Sequence, residues 1–457
     1  MTRRSMLAGG LAAAVGVAAG EDLHWLTMAE AARMVRARKV SPVELTEAAL
    51  RRMGQHRGLN AFVTVMAEDA RRVARGLTGA PPRGPLHGVP IAVKDLYDTA
   101  GVRTTAGSAH FADRVPREDA EVVARLKAAG AVVVGKLNMD EFAYNFTSET
   151  SVYGPVHNPW KRGFTPGGSS GGSGAAVAAG LCYGALGSDT GGSIRCPASL
   201  CGIVGFKPTY GALPARGVLP LSWSLDHVGP MCRTVEDIRL MLEGMGMRVS
   251  GAAVKGLRVG VPRAMYWEKV DGEVAALVEK AAQVLGGVRD VILPALRMME
   301  ALPLPADYGT IITTEAYAYH EERVRRSPEK FHKGTLASVR NGEGVPAAAY
   351  ARAVRAMLEA REQNRSLLFR EAELLAMPAT PGAAFALGGP ADLIYLRNLA
   401  PWNFYGLPAI SVPCGFTKAG LPVGLQLVGP AGADGLVLAA AEVVEKALGL
   451  SGRHPAL

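Results

Sequence analysis

TPGGSSGGSGAAVAAGLCYGALGSDTGGS, residues 165–193, is the stretch on which the reading of this chain turns. Ten of its 29 residues are glycine and five are serine, whereas glycine makes up 55 of 457 residues over the whole chain. Glycine at this density lets backbone approach backbone or ligand where a Cβ would collide, and it supplies dihedral angles that other residues resist. Two tight serine-bearing turns are expected, Gly167–Gly174 and Thr190–Ser193. Between them, the small residues Ala175–Ala179 read as a closely packed helix and Leu181–Leu186 as a short buried strand. That order would bring both turns to one place.

Working outward, 457 residues with no Pro/Ser-rich linker, charge run or fixed repeat read as one large domain with a variable portion. Hydrophobic residues make up 49% and charged residues 20%, which excludes a disordered or fibrous chain. The formal charge of +9 comes mostly from scattered arginines, without the basic clusters and interleaved aromatics of a nucleic-acid face, so no nucleic-acid partner is expected. The five cysteines (Cys182, Cys196, Cys201, Cys232, Cys414) contain no CxxC pair and no histidine at ligand spacing. They read as small buried hydrophobes, with no metal site, cofactor motif or disulfide framework. Residues 1–20, with Arg3-Arg4 before the apolar Leu7–Ala19, resemble a twin-arginine export signal, too short to span a membrane, and imply a periplasmic or exported protein over 21–457.

Thr27-x-x-Glu30 and Ser41-Pro42-x-Glu44 fit capping boxes, so helices are expected near 28–38 and 42–53. Beyond the Pro81–Pro85 linker, Val89–Val93 reads as a buried strand that leaves Lys94 at its end, half out of an apolar environment. Burial lowers a lysine's pKa and makes it a base near neutrality; the competing reading is a lysine that reaches water or pairs with Asp95 or Asp98. A helix at 118–129 and a strand at 132–134 follow. Gly130–Lys136 has P-loop spacing, but its interior is strand-forming and Leu137 stands where a Ser or Thr should hold magnesium, so that reading is rejected. Gly167–Gly172 matches the G-x-S-x-G nucleophile elbow twice, which raises a Ser-His-Asp α/β-hydrolase. The loop-like residues 157–163 replace the strand an elbow needs, and His227, His320, His332 and His454 offer no convincing partner. A serine activated by a neutral lysine carries the greater weight.

The chain resembles the amidase signature family of serine hydrolases. The resemblance rests on GVPIAVKD, GKLNMDEFA, TPGGSSGGSGAAVAAG, GSDTGGSIRCPASLCGIVGFKPTYG and SLDHVGPMCRTVED between about 86 and 237, and resumes in PWNFYGLPAISVPCG and LPVGLQLVG between 401 and 429. The segment from about 250 to 395 matches loosely. The resemblance implies an α/β/α sandwich around a mixed central sheet, in agreement with strand signals at 89–93, 132–134, 256–261, 409–413 and 423–428 and helix signals at 311–326, 348–369 and 434–447. It places the catalytic lysine on Lys94, the bridging serine, after a cis peptide bond, on Ser169, and the nucleophile on Ser193. It implies that neutral Lys94 takes a proton from Ser169, which takes one from Ser193, that Ser193 attacks an amide carbonyl, and that water hydrolyses the acyl-enzyme. The amides of Thr190, Gly191, Gly192 and Ser193 are the expected oxyanion donors. Ser170, Asp189 and Arg195 are supporting residues, the last two as a pair holding the turn, while Lys136 and Lys207 read as structural. Trp402, Phe404 and Tyr405 are placed between substrate pocket and core. The implied function is a free-standing amidase acting on a small-molecule amide, a homodimer being left open. The alternative is the glutaminase component of a tRNA-dependent amidotransferase, which residues 86–237 also resemble closely. Ile311–Tyr317 and Leu396–Leu399 depart from the pattern of that component, and the acyl and amine pockets are expected in the loosely matched segment.

Overall fold

The computed structural model describes residues 23–299, 304–389 and 392–457; the proposed export signal lies outside them. Among the described residues eleven strands form one sheet: β1 Phe62–Val65, β2 Pro90–Lys94, β3 Val132–Leu137, β4 Gly184–Asp189, β5 Val204–Lys207, β6 His227–Cys232, β7 Val259–Val261, β8 Val288–Asp290, β9 Leu374–Pro378, β10 Ala409–Phe416 and β11 Pro422–Val428. Their order is β1-β3-β2-β4-β6-β5-β10-β11-β9-β7-β8. The sheet is mixed: β2 runs parallel to both β3 and β4, β7 parallel to β8 and β9, and the other pairings are antiparallel. Helices cover the sheet, giving the expected α/β class.

Apart from the edge strands β1 and β8, the strands are buried on both faces, and the alternation of side chains sorts them between two cores. Val132 and Val134 belong to one apolar cluster and Val133 to the other, and Ala92 opposes Ile91 and Val93 in the same way. The next step of that alternation puts Lys94 on the side of Ala92, which is the side of the small-residue helix Gly171–Ala178. Both capping boxes form: Thr27 and Glu30 close the helix Met28–Arg36, and Ser41 and Glu44 close Pro42–Gln55. All five cysteines are free and buried. No helix among the described residues is long and apolar enough to cross a membrane.

Several elements differ from expectation: the small-residue helix expected at 175–179 runs Gly171–Ala178 and takes in half of the turn expected at 167–174, and the helix expected at 311–326 begins at Ala306. The strand expected at 181–186 lies at 184–189, because Gly180 (φ +69) ends the preceding helix and Leu181–Tyr183 form the turn. The helix expected over 348–369 is two, Ala347–Glu362 and Asn364–Leu368.

Candidate active site

Parallel neighbours β2 and β4 end side by side, and crevices beyond the carboxyl ends of strands are where open α/β sheets gather functional groups. Lys94 closes β2, Asp189 closes β4, and Ser170 caps the helix Gly171–Ala178. Lys94 is fully buried rather than half out. Its Nζ lies 2.6 Å from Ser169 Oγ, 2.9 Å from Ser170 Oγ and 2.9 Å from Ser188 Oγ. Burial lowers its pKa from 10.5 to about 7, against the opposing pull of the carboxylates of Asp140, Asp189 and Asp226. Neither Asp95 nor Asp98 pairs with it: Asp95 faces Lys136 at 3.4 Å, and Asp98 pairs with Arg114. Lys136 donates to Tyr97 O and Thr104 Oγ1, and Lys207 to the carbonyls of Leu407 and Pro208, so both rival lysines serve the framework.

The Gly168-Ser169 peptide bond is cis. Any Cβ on Gly168 would collide with Asp140 Oδ2, and that carboxylate in turn accepts from the amides of Ser148, Glu149 and Thr150, so the turn is gripped from outside. Ser170 N donates to Ser193 O at 3.3 Å, which ties the two serine turns together. Among the described residues no hydrogen bond joins Ser169 Oγ to Ser193 Oγ, and no histidine bonds to Ser169, Ser170 or Ser193. Among the described residues no strand leads directly into Ser169, so the elbow geometry of a Ser-His-Asp hydrolase is not formed.

Asp189 and Arg195 do pair, at 2.8 and 3.0 Å, both fully buried. Burial alone would raise the Asp189 carboxyl, but the adjacent Arg195 guanidinium holds it well below the usual carboxylate range. The carboxylate also accepts from Gly192 N (2.8 Å) and Ile194 N (3.2 Å). This corrects the expected oxyanion set: the Gly192 amide is committed to Asp189, whereas Thr190, Gly191 and Ser193 amides have no acceptor among the described residues. Thr190 Oγ1 donates to Asp226, whose carboxylate also holds the amides of Leu221 and Ser222.

A cavity of about 760 Å³ opens over Ser193, Gly191 and Thr190. Its far walls include Met299, residues between Leu304 and Thr313, and residues between Gly334 and Val345, so the loosely matched segment does shape the pocket. None of its lining residues among those described is Asp, Glu, Lys, Arg or His. Trp402, Phe404 and Tyr405 do not line it; they are core, with Trp402 stacked on Tyr266. The residue between them does reach the site: Asn403 donates to Asp189 and accepts from Arg195. Ser188, Asp226, Asn403 and Asp140 are thus the site residues that sequence reasoning does not single out.

The amidase family model matches residues 44–438. The chain belongs to the amidase family. Its curated relatives include the A subunit of the glutamyl-tRNA(Gln) amidotransferase from Moorella thermoacetica, 39% identical over 95% of this chain and 99% of that one. Similar solved structures include an inhibitor-bound enzyme of s-triazine catabolism described with a vestigial protein complex (36% identity, TM-score 0.85, covering 93% of this chain and 99% of that one). Another is an amidase (34% identity, TM-score 0.86, covering 93% and 100%). This amidase is accordingly a hydrolase of amide carbon–nitrogen bonds.

Proposed function

We propose that the amidase hydrolyses an uncharged carboxylic amide to carboxylate and ammonia or amine through an acyl-enzyme on Ser193, with Ser169 and Lys94 as the proton relay. The observation that carries the chemistry is a fully buried lysine 2.6 Å from Ser169 Oγ, one turn away from a serine that opens onto the cavity. With a pKa near 7, Lys94 is substantially neutral at physiological pH and holds a lone pair. The relay needs Ser193 Oγ beside Ser169 Oγ, and the Ser170 amide donating to the Ser193 carbonyl holds the two turns together for it. Lys94 then takes the Ser169 proton as Ser169 takes that of Ser193, and Ser193 Oγ bonds to the carbonyl carbon. The free amides of Thr190, Gly191 and Ser193 are the donors available to the developing oxyanion, a contribution of roughly 10²–10³ in rate per donor. The proton returns along the relay to the leaving nitrogen as the C–N bond breaks, and water repeats the sequence on the ester.

The cavity supports an uncharged substrate. Free glutamine brings an α-ammonium and an α-carboxylate, and burying charges without partners is costly. The second reading, a glutaminase working within an amidotransferase complex, has the stronger support from whole-chain resemblance, through relatives such as that of Moorella thermoacetica. Turnover of purified protein on glutamine and on a panel of neutral aliphatic, aromatic and acylamino amides separates the two. Hydrolysis of neutral amides with kcat/KM at least tenfold above glutamine is expected; preference for glutamine overturns the proposal.

A further inference from the structure

Of the adjacent acids Asp140 and Glu141, the first grips the serine turn and the second does not touch it. The Asp140 amide donates to Ser169 O at 3.2 Å, and its carboxylate packs against Gly168. The Glu141 carboxylate instead accepts from Ser108 Oγ at 2.7 Å through Oε1 and from the amide of His332 at 2.8 Å through Oε2. It is fully buried and held by hydrogen bonds rather than by an arginine or lysine. A buried carboxylate is costly unless its oxygens are used, and here one of them is used 191 positions along the chain.

Both ends of that long-range bond belong to walls of the cavity. Glu141 opens the turn Glu141–Ala143, and Ala143, Tyr144, Asn145 and Phe146 line the near wall. Phe142 (φ +52) and Ala143 (φ +60) hold left-handed backbone that non-glycine residues resist, so the turn depends on outside support. His332 is the N-cap of the helix Lys333–Arg340, which brings Gly334 and Ser338 to the far wall. The Phe331 ring, one residue earlier, packs against Phe142, so the joint has an apolar half beside its polar one.

We propose that Glu141 is a positioning residue: its carboxylate latches the helix Lys333–Arg340 to the Asp140–Phe146 wall and fixes how far the far wall stands from Ser193. The latch then sets the fit of long acyl chains, which reach that helix, and not of short ones, which end beside the nucleophile. The consequence for acyl chains rests on the uncharged-amide reading above; the latch itself does not.

His332→Pro tests the bond directly, because it deletes the one N–H that Glu141 accepts. The backbone suits it: His332 has φ −62 and ψ 142, and Phe331 before it is extended (φ −81, ψ 149). His332→Ala keeps the N–H and accounts for the lost side-chain cap on Gly334 N. Relative to His332→Ala, His332→Pro should lower the ratio of kcat/KM for octanamide over propanamide about tenfold, with the loss in KM. Glu141→Met, which has no acceptor, should give the same pattern. Glu141→Gln should recover most of it, since its oxygen accepts from His332 N while its nitrogen donates to Ser108 Oγ. An unchanged ratio in both His332→Pro and Glu141→Met, or losses equal on the two amides, would overturn the role in acyl-chain fit. Hydrogen exchange reads the latch without substrate: peptides within 333–345 should exchange about tenfold faster in His332→Pro than in His332→Ala, and unchanged exchange there overturns the latch. Wild-type enzyme that hydrolyses glutamine and neither amide overturns the uncharged-amide reading and with it the acyl-chain role, while the exchange result decides the latch separately.

Discussion

Replacing Lys94 by Met should abolish activity and yet stabilise the protein increasingly as pH falls toward neutrality. The folded pKa of about 7 lies 3.5 units below the 10.5 of a free lysine, which at roughly 1.36 kcal/mol per unit is a penalty of about 5 kcal/mol for carrying the charge inside. The sign follows from proton uptake. Between pH 7 and 10.5 the unfolded chain binds a proton at this position that the folded chain does not, so wild-type stability rises with pH across that window and the penalty is complete below pH 7. Lys94→Met removes this dependence. Denaturant unfolding of both proteins from pH 9.5 to 7 should therefore show the wild type losing about 3 kcal/mol relative to the variant, whatever constant offset the lost serine contacts impose. The same pKa sets the activity profile: kcat/KM should fall tenfold per unit below about pH 7 and level off above it. A stability difference that stays flat over this range, or activity maintained undiminished to pH 5, would refute the neutral-lysine argument.

Asp189→Asn strands the buried Arg195 guanidinium, and a loss of about 3–5 kcal/mol in denaturant unfolding is expected; a loss under 1 kcal/mol would mean the pair does not hold the turn. Gly191→Ala places a methyl group against Tyr308 Oη, so kcat/KM should drop by on the order of 10²-fold while the unfolding midpoint moves little, as steady-state kinetics and melting will show. The twin-arginine-like start predicts a mature N-terminus near Gly20 or Glu21 in exported material, and N-terminal sequencing that finds Met1 or Thr2 intact in cytosolic protein would remove that expectation.

The parts of this molecule that can be read in advance are those where local chemistry acts alone. The two capping boxes and the strand ending at Lys94 each follow from a few neighbouring residues, and each forms; the small-residue helix forms too, but starts at Gly171, inside the stretch read as a turn. Strands β4, β6 and β9 are harder, because GALGSD, HVGPMC and LLAMP lack the β-branched alternation that marks a strand; their pairing is set by neighbours distant in sequence. In β4, glycine serves close packing, since a Cβ on Gly184 would meet the Met28 methyl. The site shows the same division. Lys94, Ser169 and Ser193 follow from motif order, whereas Ser188 reaches Lys94 only because β4 lies beside β2. In PWNFYG the sequence draws attention to the large aromatic side chains, which are core, and away from Asn403, the one carboxamide in that run and so the available signal. Gly192 reads as an oxyanion donor because a run of glycines does not show that a carboxylate three residues earlier already holds its amide.

The central claim is that Ser193 is the nucleophile and that buried Lys94 makes it so. Treatment with a fluorophosphonate, followed by peptide mass spectrometry, tests it most directly. A single adduct is predicted on the Ser193 peptide of the wild type, with no adduct in Ser193→Ala and labelling slowed by at least 10²-fold in Lys94→Ala at pH 7. An adduct on Ser169 or Ser170 with Ser193→Ala still active, or undiminished labelling of Ser193 in Lys94→Ala, would contradict it.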